Sequence, residues 1–302
     1  MSELAWVYIG VILCMRVVQS VFSKRAAVSI PQTGRGYVKH CAYRQAVAFA
    51  IAVTVLLVEC WITSAPLKEI GATALYAAGC GLSLFVSVLC GLYAISHGTL
   101  VLSSLFSTAG LLVPTIASAI FYRETLTLWH ILAIGGLFLS VWLLIGDKQK
   151  GDKRISWKTV LALCGVMLAE GGTMLCQKVF GMNVLNGNVS LFTAIQFLVA
   201  ALLAIAAIPF LRPSANAAPE EERLSGRSYL YGFLLAAAVL VISQFATLTT
   251  PLVPAVVLFS LINGGATLIS AIVGSVFYGE KLTARSTLGL LVGITALIFL
   301  KV

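Results

Sequence analysis

Two charged side chains interrupt long apolar runs of this 302-residue sequence: Arg16 in the first run and Glu170 in a run that opens near residue 157. Near the centre of a membrane helix such a charge costs about 2.5–3.5 kcal/mol, so each needs a partner, an aqueous cavity or a function. A guanidinium suits an anionic group such as a carboxylate or phosphate, and a carboxylate suits a cationic group or a proton. Each charge also heads a polar stripe whose spacing puts it on one helix face: Arg16, Gln19, Ser20 and Ser23, and Glu170, Thr173 and Gln177. Two other runs offer Ser103, Ser104, Ser107 and Thr108, and Ser260, Asn263, Thr267 and Ser270. Arg16, Gln19, Ser104, Ser107, Glu170, Thr173, Gln177 and Asn263 are therefore expected to bind substrate in one cavity lined by the first, fourth, sixth and ninth helices. The competing reading is structural, with Arg16 and Glu170 as an ion pair and each Ser or Thr bonded to the carbonyl one turn back.

Other polar residues read more simply. The stripe Ser83, Ser87, Gly91 and the pair Gly289, Gly293 have the small side chains of close helix packing. Glu59 and Lys178 lie near run ends, where a long side chain snorkels to the interface. Glu124 and Glu280 suit turns between helices, as capping partners rather than substrate ligands. Pro114, Pro251 and Pro254 free backbone carbonyls, and Asn263-Gly264-Gly265 loosens its helix; such breaks serve as hinges or binding surfaces. The seven cysteines include no Cys-x-x-Cys pair and read as packed or lipid-facing thiols, and His40, His97 and His130 match no metal spacing. With no catalytic His/Asp cluster, acidic metal repeat or activated Ser visible, the sequence predicts neither an enzyme nor a bound metal or cofactor.

The elements that must hold these groups are membrane helices. Of the chain, 60% is hydrophobic and 10% charged, a balance that would leave a water-soluble globule without polar cover. Apolar runs predict ten helices, near 2–23, 43–62, 73–95, 99–121, 128–146, 157–179, 188–211, 226–248, 252–277 and 284–301. Trp6, Trp61, Trp129 and Trp157 fall near run ends, where an indole can reach the headgroup layer. The net charge of +9 lies between the runs rather than in a nucleic-acid-binding stripe. Fifteen Lys and Arg residues fall on the side of the loops at 24–44, 148–158, 212–227 and 281–285, against Lys68, Arg123, Lys178 and Lys301 on the other. The positive-inside rule puts the first side in the cytoplasm and both termini outside, in the cell membrane.

A repeat organises the chain. Phe121-Tyr122-Arg123-Glu124-Thr125-Leu126-Thr127 returns 156 residues later as Phe277-Tyr278-Gly279-Glu280-Lys281-Leu282-Thr283, each copy between the fourth and fifth helix of its half. Five helices per half is odd, so the second half enters the membrane from the opposite side, giving an all-α protein of two inverted five-helix repeats, 1–147 and 157–302, joined by 148–156. Aligning Lys24 with Lys178 sets Arg16 opposite Glu170. The two Glu-x-Leu-Thr turns, each followed by a Gly-containing apolar helix, together with Lys24, Lys178 and Arg44 opening the second helix, resemble the drug/metabolite transporter superfamily of the EamA-like kind. That resemblance implies a central cavity surrounded by helices 1 to 4 and 6 to 9, buttressed by helices 5 and 10, the pair through which a homodimer would form. It implies secondary transport by alternating access in the lipid bilayer, with proton coupling an option, while Arg16 and Glu170 together suit a small polar or zwitterionic metabolite such as an amino acid or amine. Members of that family usually keep both termini in the cytoplasm, a departure from the charge count. The alternatives are a flippase or exporter of a lipid-linked or amphipathic compound, a channel and, behind these, a membrane-embedded enzyme.

Overall fold

The computed structural model describes residues 3–31, 33–63, 67–97, 100–123, 127–145, 156–184, 186–211, 224–278 and 284–299. Its helices are α1 (Glu3–Ser29), α2 (Gly34–Thr63), α3 (Ile70–His97), α4 (Leu100–Ala109), α5 (Leu112–Phe121), α6 (Leu128–Ile145), α7 (Trp157–Asn183), α8 (Val189–Ala207), α9 (Gly226–Thr249), α10 (Ala255–Tyr278) and α11 (Ala284–Phe299). Seven of these, α1, α2, α3, α7, α8 with the 3₁₀ turn after it, α9 and α10, are long and apolar enough to cross a membrane, and the apolar stretches of the rest are shorter. Trp61, Trp157 and Phe210 are more than three-quarters exposed near helix ends, and Leu75, Leu161 and Leu168 expose most of their surface along the helix sides. Such a coat is unsustainable in water and unremarkable in lipid, so this is a multi-pass membrane protein.

Local chemistry sets the helix starts. Ser156, Asn188 and Ser225 cap α7, α8 and α9, their side chains accepting from the backbone N–H of Lys158, Leu191 and Ser228. Thr33 does the same for α2 by accepting from Gly36 N–H at 3.0 Å. That cap moves α2 nine residues ahead of the expected start at 43. Hydropathy marks where apolar residues begin, whereas the helical ladder begins wherever the backbone is capped, so the polar stretch 24–42 is mostly two helix ends around a turn at Pro31.

The expected fourth helix is two pieces. Pro114 has no N–H to offer the carbonyl of Gly110, and the chain breaks there into α4 and α5, with Val113 N–H bonding Gly110 instead. Counting those two as one interrupted helix, ten helices are present among the described residues. The expected loosening at Asn263-Gly264-Gly265 does not break the helix: α10 runs through it, and Gly265 lets Leu13 of α1 approach closely.

Packing is interleaved along the chain. α1 lies against α9 and α10, α2 against α8 and α9, α3 against α7 and α8, α4 against α7 and α10, and α6 against α11. Residues 1–147 and 157–302 therefore build one body, and the main apolar clusters draw on both segments. At the α4–α5 break, α7 comes in so closely that a β-carbon on Gly171 would meet Val113 Cγ2 at 2.6 Å and Gly110 O at 2.8 Å. Gly110 and Gly171 are what permit this approach, and Glu170 is the next residue.

Candidate functional site

Arg16 and Glu170 stand midway along α1 and α7, each helix 27 residues long. They are not an ion pair in contact. Arg16 Nη1 donates to Gln19 Oε1 at 2.9 Å and Nη2 to Asn263 Oδ1 at 3.3 Å, while Glu170 Oε1 accepts from Ser87 Oγ at 2.9 Å. Neutral acceptors from α1 and α10 thus hold the guanidinium, and a hydroxyl from α3 holds the carboxylate. Asn263 is fixed in turn, donating from Nδ2 to Met174 Sδ at 3.2 Å.

Both charges face an interior cavity of two chambers. The larger, about 140 Å³, extends past Ser23, Ile95, Ser103, Ser107 and Ser270, toward the ends of α1, α3 and α10 and the start of α4. The smaller, about 80 Å³, runs past Thr173, Gln177, Gln196 and Ser243. Arg16, Gln19, Arg44, Ser87, Glu170 and Asn263 border both chambers and form the neck between them. In the smaller chamber Ser243 Oγ accepts from Gln177 Nε2 at 3.0 Å and also from Gln196 Nε2.

Of the residues expected at the site, Arg16, Gln19, Ser107, Glu170 and Asn263 border the larger chamber, and Thr173 and Gln177 the smaller. Thr173 also bonds the Ala169 carbonyl one turn back at 3.0 Å, as the structural reading has it. Ser104 lies on α4 with its side chain outside the described residues, as do the two turn glutamates, Glu124 and Glu280.

Three expectations are corrected. Ser87 and Gly91 line the cavity, and of their stripe only Ser83 packs, against Gly172. Arg44 does not open α2 at the interface; it sits ten residues inside the helix, 9% exposed, at the neck. Lys178 does not snorkel. It is 2% exposed, and its Nζ donates to the carbonyls of Thr250 at 3.1 Å and Val253 at 3.4 Å. The Thr250 carbonyl is the one that residue 254 would satisfy in a continuous helix, and residue 254 is proline. Lys178 thereby closes the α9–α10 break.

The cavity walls come from α1, α2, α3, α4, α7, α8, α9 and α10, more than the four helices that the polar stripes pointed to, and the eight that the resemblance implies, while among the described residues α6 and α11 contribute no lining residue and pack on each other. Ser140 of α6 donates to the Gly289 carbonyl at 2.6 Å, and Gly293 meets the same serine, so the small residues of α11 do serve packing.

No protein-family profile and no curated protein matches the chain. Among solved structures, 28 chains match. One of them, the crystal structure of a protein 13% identical in sequence, covers 99% of this chain and 96% of its own with a TM-score of 0.70. At that identity the likeness is one of fold, and it extends over the whole arrangement of helices that encloses the cavity.

Proposed function

We propose that this protein is a secondary active transporter of a small polar or zwitterionic organic metabolite, working by alternating access between two inverted five-helix repeats. The observation that carries the reading is the neck: ionised groups from α1, α2 and α7 around one cavity, midway along helices of membrane length. Intramembrane charges of this kind mark substrate or ion pathways. The packing supports the repeat. If each helix is exchanged for its equivalent in the other half, α3 on α7 becomes α9 on α1, and α3 on α8 becomes α9 on α2. Likewise α1 on α10 becomes α7 on α4 and α5, whereas α2 on α8 and α6 on α11 map onto themselves; all of these neighbours occur. The EamA-like drug/metabolite transporters, which the Glu-x-Leu-Thr turns resemble, have this kind of two-repeat layout.

In this scheme the larger chamber is the entrance on the Lys- and Arg-rich face, and the Lys178 closure seals the other. The charge count makes the open face cytoplasmic. Substrate binding at the neck would draw the helices together on the open side and release the closed one. The test is transport by protein reconstituted in liposomes, with substrates found by thermal-shift screening of metabolites, since a ligand stabilises the state that binds it. Glu170→Gln and Arg16→Gln should each reduce saturable uptake by about tenfold or more, the loss of one charge-assisted contact. Unchanged uptake in both variants would end the proposal.

A further inference from the structure

Packing leaves the donors of Arg44 unexplained. The residue is 9% exposed, and its guanidinium has no hydrogen-bond partner among the described residues, although it borders both chambers. Arg16 is only partly satisfied: its two terminal nitrogens are engaged, and its Nε is buried with no partner. Buried guanidiniums are stable when planar oxyanions or amides fill their fork of donors, and costly when the donors stay empty. Glu170 acts electrostatically on both arginines, yet it is held by Ser87, and one carboxylate against two guanidiniums leaves the neck with a formal charge of +1.

We infer that the substrate is a small organic anion whose carboxylate or phosphate oxygens take the unused donors of Arg44, with the Arg16 guanidinium beside them at the neck. This rests on the transport reading above and narrows its substrate class from zwitterions to molecules of net negative charge. Glu170 then discriminates, repelling an anion placed wrongly and leaving room for an amine on a substrate that carries one. Arg44 supplies the selectivity for planar oxygens and Arg16 the fixed point, since Gln19 and Asn263 already immobilise it.

The full chain, purified in detergent and then reconstituted, is challenged with four probes of similar size: succinate, glycerol 3-phosphate, alanine and putrescine. Succinate or glycerol 3-phosphate should raise the unfolding temperature with concentration and show saturable uptake, and which of the two does so separates carboxylate from phosphate. Arg44→Gln should weaken that binding about 10- to 100-fold, as expected for loss of a hydrogen bond to a charged group. Arg44→Lys, which keeps the charge but loses the planar fork, should recover part of it, and it carries the test if Arg44→Gln does not fold. Binding and transport of alanine or putrescine, with neither anion recognised, would overturn the charge assignment and leave transport standing. Full anion affinity in Arg44→Gln would overturn it as well. Four probes without binding or flux would overturn the anion assignment and leave the transport reading to the wider metabolite screen.

Discussion

Replacing Lys178 by Met tests the closure of the α9–α10 break. Met keeps most of the length and apolar bulk of the side chain, so the packing of a residue only 2% exposed is largely retained and the ammonium alone is lost. Two buried carbonyls then lose their donor, Thr250 O at 3.1 Å and Val253 O at 3.4 Å. A hydrogen bond from a charged donor contributes about 1.5–3 kcal/mol, and the longer second bond contributes less. Against this, the variant no longer buries an ammonium, which returns part of the loss. The net expectation is destabilisation by about 2 kcal/mol, read as a fall of about 4 °C in Tm for a chain of this size. Thermal unfolding in detergent, followed by tryptophan fluorescence, measures it. Lys158→Met, at an exposed position on the first turn of α7, is the control and should stay within about 0.5 kcal/mol of the parent. An unfolding temperature for Lys178→Met equal to or above that of the parent would refute the argument that a side chain replaces the N–H missing at Pro254.

Gly171→Ala should destabilise by about 1–3 kcal/mol in the same assay, because its β-carbon would meet Val113 Cγ2 at 2.6 Å; a neutral result would mean that α5 and α7 separate freely. Ser87→Ala removes the only hydrogen-bond donor that the described residues give to Glu170 and should cost about 1 kcal/mol of stability. Its larger effect should appear as a raised KM for uptake, and an unchanged KM would argue against a positioning role. In a background without the seven native cysteines, Ser107→Cys should react with a membrane-impermeant thiol reagent added on the Lys- and Arg-rich side. Thr250→Cys should react from neither side, and labelling of Ser107→Cys from the opposite side only would invert the assignment of the open mouth.

Arg16 and Glu170 were legible because each is a charge in the middle of an apolar run, and no packing preference puts it there. The amide and hydroxyl residues three, four and seven positions away followed from helical geometry alone. Arg44 was not, because segmentation by hydropathy stopped α2 at residue 43 and left this arginine at its edge. The missed signal lay in the spacing: Tyr37, His40, Cys41, Arg44, Gln45, Ala48 and Ala52 lie on one buried face of α2, a period of 3.6 that begins ahead of the expected start at residue 43. Ser87 shows a different limit. It shares a stripe with Ser83, yet Ser83 meets Gly172 and Ser87 meets Glu170, a distinction that depends on which residues of α7 face each serine and is absent from spacing. For Lys178 the sequence offers a cation near a helix end, and whether it turns outward to the interface or inward to a broken helix depends on where Pro254 lies in space.

The interleaving of helices has a consequence for how the protein is made. α1 finds its main neighbours in α9 and α10, α2 in α8 and α9, and α3 in α7 and α8. While the ribosome is still translating the second half, the first helices must wait in the bilayer with their inner polar faces, Arg16 and Arg44 among them, without the surroundings that accommodate them. Biogenesis therefore depends on keeping an unfinished bundle soluble in lipid until late partners arrive. Residues 1–147 produced alone should be degraded, and co-production with 157–302 as a separate chain should rescue both.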